Sequence, residues 1–224
     1  LHDVHLPPFK AGIDADALSL MTAFNDINGI PATGHRGLLT GVLRQQWRFR
    51  GLVVSDFASD AEMVSHGHAA DDKDAARLAL LAGCDVSMAS GIYNRWLPEL
   101  VREGAVPVAV IDESVRRVLR VKKALGLFDN PYRSLDPEKE RTRLRLPATV
   151  ALAREAARRS VVLLKNEGGL LPLPKAGRRI ALIGPFASDR VHLMGPWALW
   201  NEQRGVSLEQ GLREALADPA SLEV

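Results

Sequence analysis

Gly51-Leu52-Val53-Val54-Ser55-Asp56 decides the fold. A continuous apolar run, partly β-branched, with a glycine in front and a polar pair behind, reads as a short strand covered on both faces. Such strands belong to parallel sheets, whose connections are helices. The flanks supply them. Upstream, residues 38–47 place Leu39, Val42, Leu43 and Gln46 at three- and four-residue steps. Downstream, Ser59-Asp60-Ala61-Glu62 has capping-box spacing, which predicts a helix start. Residues 71–81 carry acidic groups in the first turn and Gly83 just past the end, a complete helix signature. Residues 18–24 read as the preceding strand, residues 25–29 as a turn-rich loop, and residues 85–90 as a weaker following strand.

Further along, residues 96–102 predict a short helix stopped by Gly104. Asp112 is placed to cap a longer one, with Val115, Val118, Leu119 and Lys122 on one side and Gly126 at its stop. Asp129-Asn130-Pro131-Tyr132 breaks the pattern, and an Arg-rich polar stretch runs to Pro147, which suits the first turn of a helix over 148–159. Residues 161–164 and 179–185 read as strands on either side of the turn at 166–169. The expected partition is 1–129 as one α/β body, 130–146 as linker, and 147–224 as the start of a second.

Composition narrows the function classes. Hydrophobic residues make up 46% and charged residues 25%, which excludes collagen-like, disordered and disulfide-scaffold chains. A net charge of +2 gives no argument for nucleic acid or a membrane surface, and no apolar run approaches the ~18 residues of a membrane span. Cys84 is the single cysteine, so neither an internal disulfide nor a cysteine zinc cluster can form. His2 with His5, and His66 with His68, lack the further ligands a zinc site needs. Arg116, Arg117, Arg120, Lys122 and Lys123 read as the solvated face of an outer helix. Dinucleotide, phosphate-loop and Gly-x-Ser-x-Gly patterns are missing, so no cofactor and no metal is expected. The opening Leu-His-Asp-Val-His-Leu has no initiator methionine and no signal region, and reads as the interior of a longer polypeptide.

Asp56 is the residue with chemistry. It ends the strand read over 51–55, and in parallel α/β barrels catalytic groups sit at the C-terminal ends of strands. A carboxylate fixed there suits a nucleophile or a base. Its other reading is a helix cap, a task that Ser59 with Glu62 is already spaced to perform.

Leu52-Val53-Val54-Ser55-Asp56-Phe57 resembles the Val-Val-Ser-Asp-Trp/Phe signature of glycoside hydrolase family 3, the β-glucosidase and β-xylosidase family. Met21-Thr22-Ala23-Phe24-Asn25-Asp26-Ile27-Asn28-Gly29-Ile30-Pro31-Ala32 is similar to the family segment one strand earlier. His66-Gly67, Gly126-Leu127-Phe128-Asp129-Asn130-Pro131-Tyr132 and Val162-Leu163-Leu164-Lys165-Asn166-Glu167 follow in family order. The resemblance implies the C-terminal part of a (β/α)8-type barrel followed by the start of an α/β sandwich domain. It implies retaining hydrolysis of terminal β-D-glucosides with Asp56 as nucleophile. Phe57 would replace the usual Trp beside the sugar, and Met21 and Phe24 would help line the pocket. β-Xylosides or other β-glycosides are the alternative substrates. A periplasmic or secreted location also comes from the resemblance alone.

The family's acid/base, a Glu of the second domain, is expected beyond Val224. Neither Glu167, in a segment that resembles a structural turn, nor Glu202 fits that role. Trp197 and Trp200 read as core of the second domain, with a sugar-stacking wall at the domain interface as the other reading. A whole barrel takes ~250 residues, and residues 1–128 hold about three of its βα units at ~30 residues each. An open sheet edge is therefore expected, and with it self-association. An inactive interaction module is the reading from another functional class.

Overall fold

The computed structural model describes residues 1–197 and 205–224. It divides into two compact units, Leu1–Thr142 and Arg143–Val224.

The first unit opens with helix α1 (Leu6–Asp14), which Pro7 and Pro8 start in the first turn. Strand β1 (Ser19–Met21) follows, then the hairpin of β2 (Asp26–Ile27) and β3 (Ile30–Pro31). The segment expected to be loop thus contains paired backbone. Asn28 and Gly29, with φ of 53° and 77°, make the tight turn that joins the two strands. Residues Gly37–Gln46 form a π-helical segment, as the Trp47 N–H donation to the Val42 carbonyl shows. It leads into β4 (Leu52–Val54). β1 and β4 are parallel, with Ser19, Leu20 and Met21 opposite Leu52, Val53 and Val54.

Gly51 is required at the entry to β4. A Cβ there would lie 2.2 Å from the Leu18 carbonyl oxygen and 2.5 Å from the Phe49 ring. Within β4 only Val53 is fully buried, at 1% exposure, with Leu52 and Val54 half-covered. The expectation of burial on both faces is corrected: helices cover the Val53 face, and the other stays partly open. Val53 packs with Leu39 and Leu43 of the π-helical segment and with Ala75, Ala76, Ala79 and Leu80 of α2 (Asp72–Ala82). Asp71 caps α2 by accepting from the Asp74 N–H at 2.8 Å, and Gly83 ends it at φ 115°. Among the described residues beyond α2, the backbone pairs with β4 only at the Val86–Val54 bridge, so the strand expected over 85–90 is one rung of a ladder.

α3 (Ile92–Arg102) begins a turn earlier than its sequence pattern indicated, and α4 (Val108–Ala124) begins after Pro107. Asp112 therefore lies inside α4, and the N-cap expected there is corrected. Pro107 fixes the chain direction one turn earlier. α5 (Pro137–Arg143) runs up to the first residue of the second unit. That unit holds α6 (Pro147–Ser160), β5 (Ile180–Ala181), α7 (Leu208–Ala215) and β6 (Leu222–Glu223). β5 and β6 pair in parallel, with Ile180 opposite Leu222. Residues 161–164 are not a strand: their side chains are 62–91% exposed, and no described residue offers them a ladder. A strand needs a partner for its backbone groups, whatever its own propensity. The strand expected over 179–185 shortens to the two residues that β6 pairs.

Candidate active site

Parallel pairing places the ends of β1 and β4 on the same side of the sheet. Met21 closes β1 and Asp56 stands two residues beyond the end of β4. Asp56 is half-buried, while Met21, Phe24 and Phe57 are 52%, 40% and 50% exposed. All four therefore belong to the C-terminal end of the parallel strands, the end where such sheets carry chemistry.

The backbone around Asp56 is firmly held. Ser55 is fully buried; its N–H donates to the Val86 carbonyl at 2.8 Å, and its Oγ accepts from the Met88 N–H at 2.7 Å. Asp56 Oδ1 accepts from the Phe57 N–H at 2.6 Å, which fixes the plane of the carboxylate. Oδ2 accepts no hydrogen bond from any described residue, so among them only Oδ1 is anchored. The Ser59 N–H closes a turn onto the Asp56 carbonyl at 3.1 Å, with Ala58 at φ 57° in the left-handed region. The Ala58 N–H donates to the Met88 carbonyl at 2.8 Å.

Asp56 caps no helix. Nor does Ser59, whose expected capping role is corrected. Asp60 accepts from the Ala61 N–H at 3.1 Å at the head of a 3-10 turn, Ala61–Met63. The Ser59 hydroxyl turns inward instead, 2.9 Å from Thr33 Oγ1 and 3.5 Å from Thr22 Oγ1.

A cavity of about 630 Å³ lies beside β1, lined mainly by apolar residues of α1, β1 and the π-helical segment, with Met21, Asn25 and Asp26 also in its lining. Asp56, Phe57 and Phe24 are not part of its lining. Met21 thus opens on a space that the other three do not share. The cavity follows the open side of β1 and lacks the convergent carboxylates of a hydrolytic site.

The charged centre that sequence patterns missed is Asp85. Its side chain is 0% exposed and accepts from Arg44 Nη2 at 2.6 Å, Arg117 Nη1 at 2.7 Å, Ser114 Oγ at 3.0 Å and the Val53 N–H at 2.8 Å. Arg44 also donates to the Phe49 and Gly51 carbonyls at 3.1 and 2.5 Å. Burial pulls the Arg44 guanidinium below its ordinary value, against the pull of Asp85. Placing Arg117 on a solvated face is corrected: it is 22% exposed and turned toward Asp85, while Arg116 and Arg120 are more than half exposed. A signal was present in Ser114 and Arg117, three apart on α4 and so on one face. These contacts gather around the entry of β4, at the end of the strand opposite Asp56.

Glu167 is 82% exposed and paired with Lys165 at 3.3 Å. Glu202 and Trp200 lie outside the described residues, and Trp197 is 77% exposed, so its reading as core is corrected. Among the described residues no group of three or more His, Cys, Asp or Glu is arranged to hold a metal ion, and no helix is long and apolar enough to cross a membrane.

The chain is 44% identical to the periplasmic beta-glucosidase of Salmonella typhimurium, over 99% of this chain and 29% of that one. It is 42% identical to a putative beta-xylosidase of Formosa agariphila, over 84% of this chain and 25% of the other. The crystal structure of beta-glucosidase from Listeria innocua in complex with glucose superposes with a TM-score of 0.75 at 40% identity, over 98% of this chain and 29% of that one. This chain therefore spans less than a third of the length of these relatives. Residues 1–121 match the glycosyl hydrolase family 3 N-terminal domain and residues 161–223 its C-terminal domain. On both matches, in that order along one α/β chain, the protein belongs to glycosyl hydrolase family 3.

Proposed function

We propose that the chain carries the nucleophile of a retaining β-glycosidase acting on terminal β-D-glucosides, and that the nucleophile is Asp56. The observation that carries this reading is the state of its carboxylate. It stands at the C-terminal end of β4 with Oδ1 held by the Phe57 N–H at 2.6 Å and Oδ2 unengaged among the described residues.

In the first step Oδ2 attacks the anomeric carbon and the glycosidic C–O bond breaks. A second carboxyl group protonates the departing oxygen. Water then attacks the same carbon, gives its proton to that second group, and releases Asp56 as carboxylate. The second group is not assigned among the described residues. Phe57, exposed beside Asp56, supplies an apolar face for the sugar ring, and Met21 and Phe24 belong to the same rim. Residues 1–129 form the barrel portion in this reading, 130–146 the linker, and 147–224 the start of the α/β sandwich. The glucose-bound Listeria structure and the Salmonella relative support the glucoside over other sugars, and the latter's name supports a periplasmic or secreted location. The unpaired side of β1 supports self-association of the 224-residue chain, which light scattering reads directly.

A second substrate reading has its own support in the Formosa relative's name. In the full-length protein, kcat/KM for an aryl β-glucoside should exceed that for the β-xyloside by at least ~10-fold, the scale of one lost hydroxymethyl contact. Asp56→Ala should lower kcat by ~10³-fold or more, about 4 kcal/mol of barrier, and azide should restore turnover as the α-glucosyl azide. A xyloside preference would replace the sugar. Unchanged turnover in Asp56→Ala would remove the nucleophile.

A further inference from the structure

We propose that Ser59, Thr33 and Thr22 form a positioning unit that aims Asp56; the inference rests on Asp56 being the nucleophile. The three residues come from separate places. Thr22 follows β1, Thr33 sits in the 3-10 turn Ala32–Gly34 after β3, and Ser59 ends the turn that begins at Asp56. They are 6%, 0% and 3% exposed. Thr22 Oγ1 and Thr33 Oγ1 are 2.8 Å apart, and Thr33 Oγ1 and Ser59 Oγ 2.9 Å apart. No other described side chain bonds to these hydroxyls, so each is satisfied by its neighbours in the group. A buried hydroxyl left without a partner is costly, which makes the arrangement all-or-none.

The turn needs such an anchor. Its third residue, Ala58, holds φ 57°, a conformation that disfavours a side chain with a Cβ. One side of the turn is tied by Met88, whose N–H and carbonyl engage Ser55 Oγ and the Ala58 N–H. The other is tied by Ser59, whose N–H donates to the Asp56 carbonyl and whose hydroxyl enters the buried group. Thr22 completes the circuit, because its N–H donates to the Val54 carbonyl at 2.9 Å, two residues before Asp56. Removing the hydroxyl anchor lets Ala58 relax and frees the Asp56 carbonyl to shift with it. Misplacement of an attacking atom by ~1 Å costs on the order of 10²-fold in rate. The glycosylation step should feel the loss while sugar binding should not.

The test uses the full-length protein and a 2-deoxy-2-fluoro-β-glucoside, whose rate of covalent inactivation reports attack by the nucleophile. Ser59→Ala, and Thr33→Val, which keeps the buried shape but removes the hydroxyl, should each slow inactivation by roughly 10- to 100-fold, with the half-saturating concentration of the same inactivation changed less than ~3-fold. Thr33→Ser keeps the hydroxyl and should trap within ~3-fold of the parent rate. Ser114→Ala, which removes a buried hydroxyl bonded to Asp85 at the far end of β4, should lower Tm and leave the trapping rate unchanged. Parent-rate trapping on Asp56 in folded Ser59→Ala or Thr33→Val overturns the inference and leaves Asp56 as nucleophile. So does an equal slowing in Ser114→Ala, which would make the effect general destabilisation. Label on a residue other than Asp56 in the parent overturns both.

Discussion

Ala58 shows at the scale of one residue how the site is built. A non-glycine residue at φ 57° is strained by roughly 1–2 kcal/mol, and it sits in the turn that presents Asp56. Ala58→Gly removes that strain but widens the unfolded ensemble by about 0.5–1 kcal/mol. The net expectation is a gain of about 0.5–1 kcal/mol, seen as a rise in Tm of about 1–4 °C by calorimetry; a fall in Tm would contradict the assigned geometry. The place of Asp56 just past β4 was legible in the sequence, because the polar end of an apolar run marks it; its proposed role came from the family resemblance. Ser59 was not legible. Its capping-box spacing is a local signal, whereas its hydroxyl partners lie 26 and 37 residues earlier in the chain. No window around Ser59 contains them.

Among the elements, helices followed their local signals more closely than strands did. α2 carries its cap, its acidic first turn and its terminal glycine within its own length. β4 and β1 are three residues each because a strand lasts only as long as its neighbour pairs it, and residues 161–164 have the propensity without a partner among the described residues. The Asp85 network is also an arrangement between elements, linking β4 to the π-helical segment and to α4. Asp85→Ala strands the Arg44 and Arg117 guanidinium groups beside a buried strand. Such a loss is expected to cost about 3–5 kcal/mol in chemical unfolding. A change under ~1 kcal/mol would mean that the two arginines reach water and that Asp85 is not the fastening of β4.

For the molecule as a whole, the core of the first unit leaves an alkaline signature. Burial pushes the Cys84 thiol from 9.0 up to about 12, and burial also lifts the Tyr93 hydroxyl, which donates to the Cys84 carbonyl at 2.8 Å. The native state therefore keeps protons that the unfolded chain has already released. The sign follows: this stability is fully present below pH 9 and is lost as the pH rises from 9 toward 12. Each pH unit in that window removes about 1.4 kcal/mol through Cys84. Between pH 8 and pH 10 the parent should lose about 1.4 kcal/mol more in urea unfolding than Cys84→Ala does. Equal losses would show that the thiol is open to solvent. Sequence patterns established the α/β class and the family resemblance, because both rest on motifs that recur in order along the chain. The open side of β1 and its 630 Å³ cavity were not legible in any motif, because both are surfaces formed between separate elements.

Incubating the full-length protein with the 2-deoxy-2-fluoro-β-glucoside and mapping the adduct by peptide mass spectrometry tests the account most directly. The sugar should be found esterified to Asp56, in the peptide containing Ser55-Asp56-Phe57, and Asp56→Ala should carry none. An adduct on any other carboxylate, or undiminished labelling of Asp56→Ala, would contradict it.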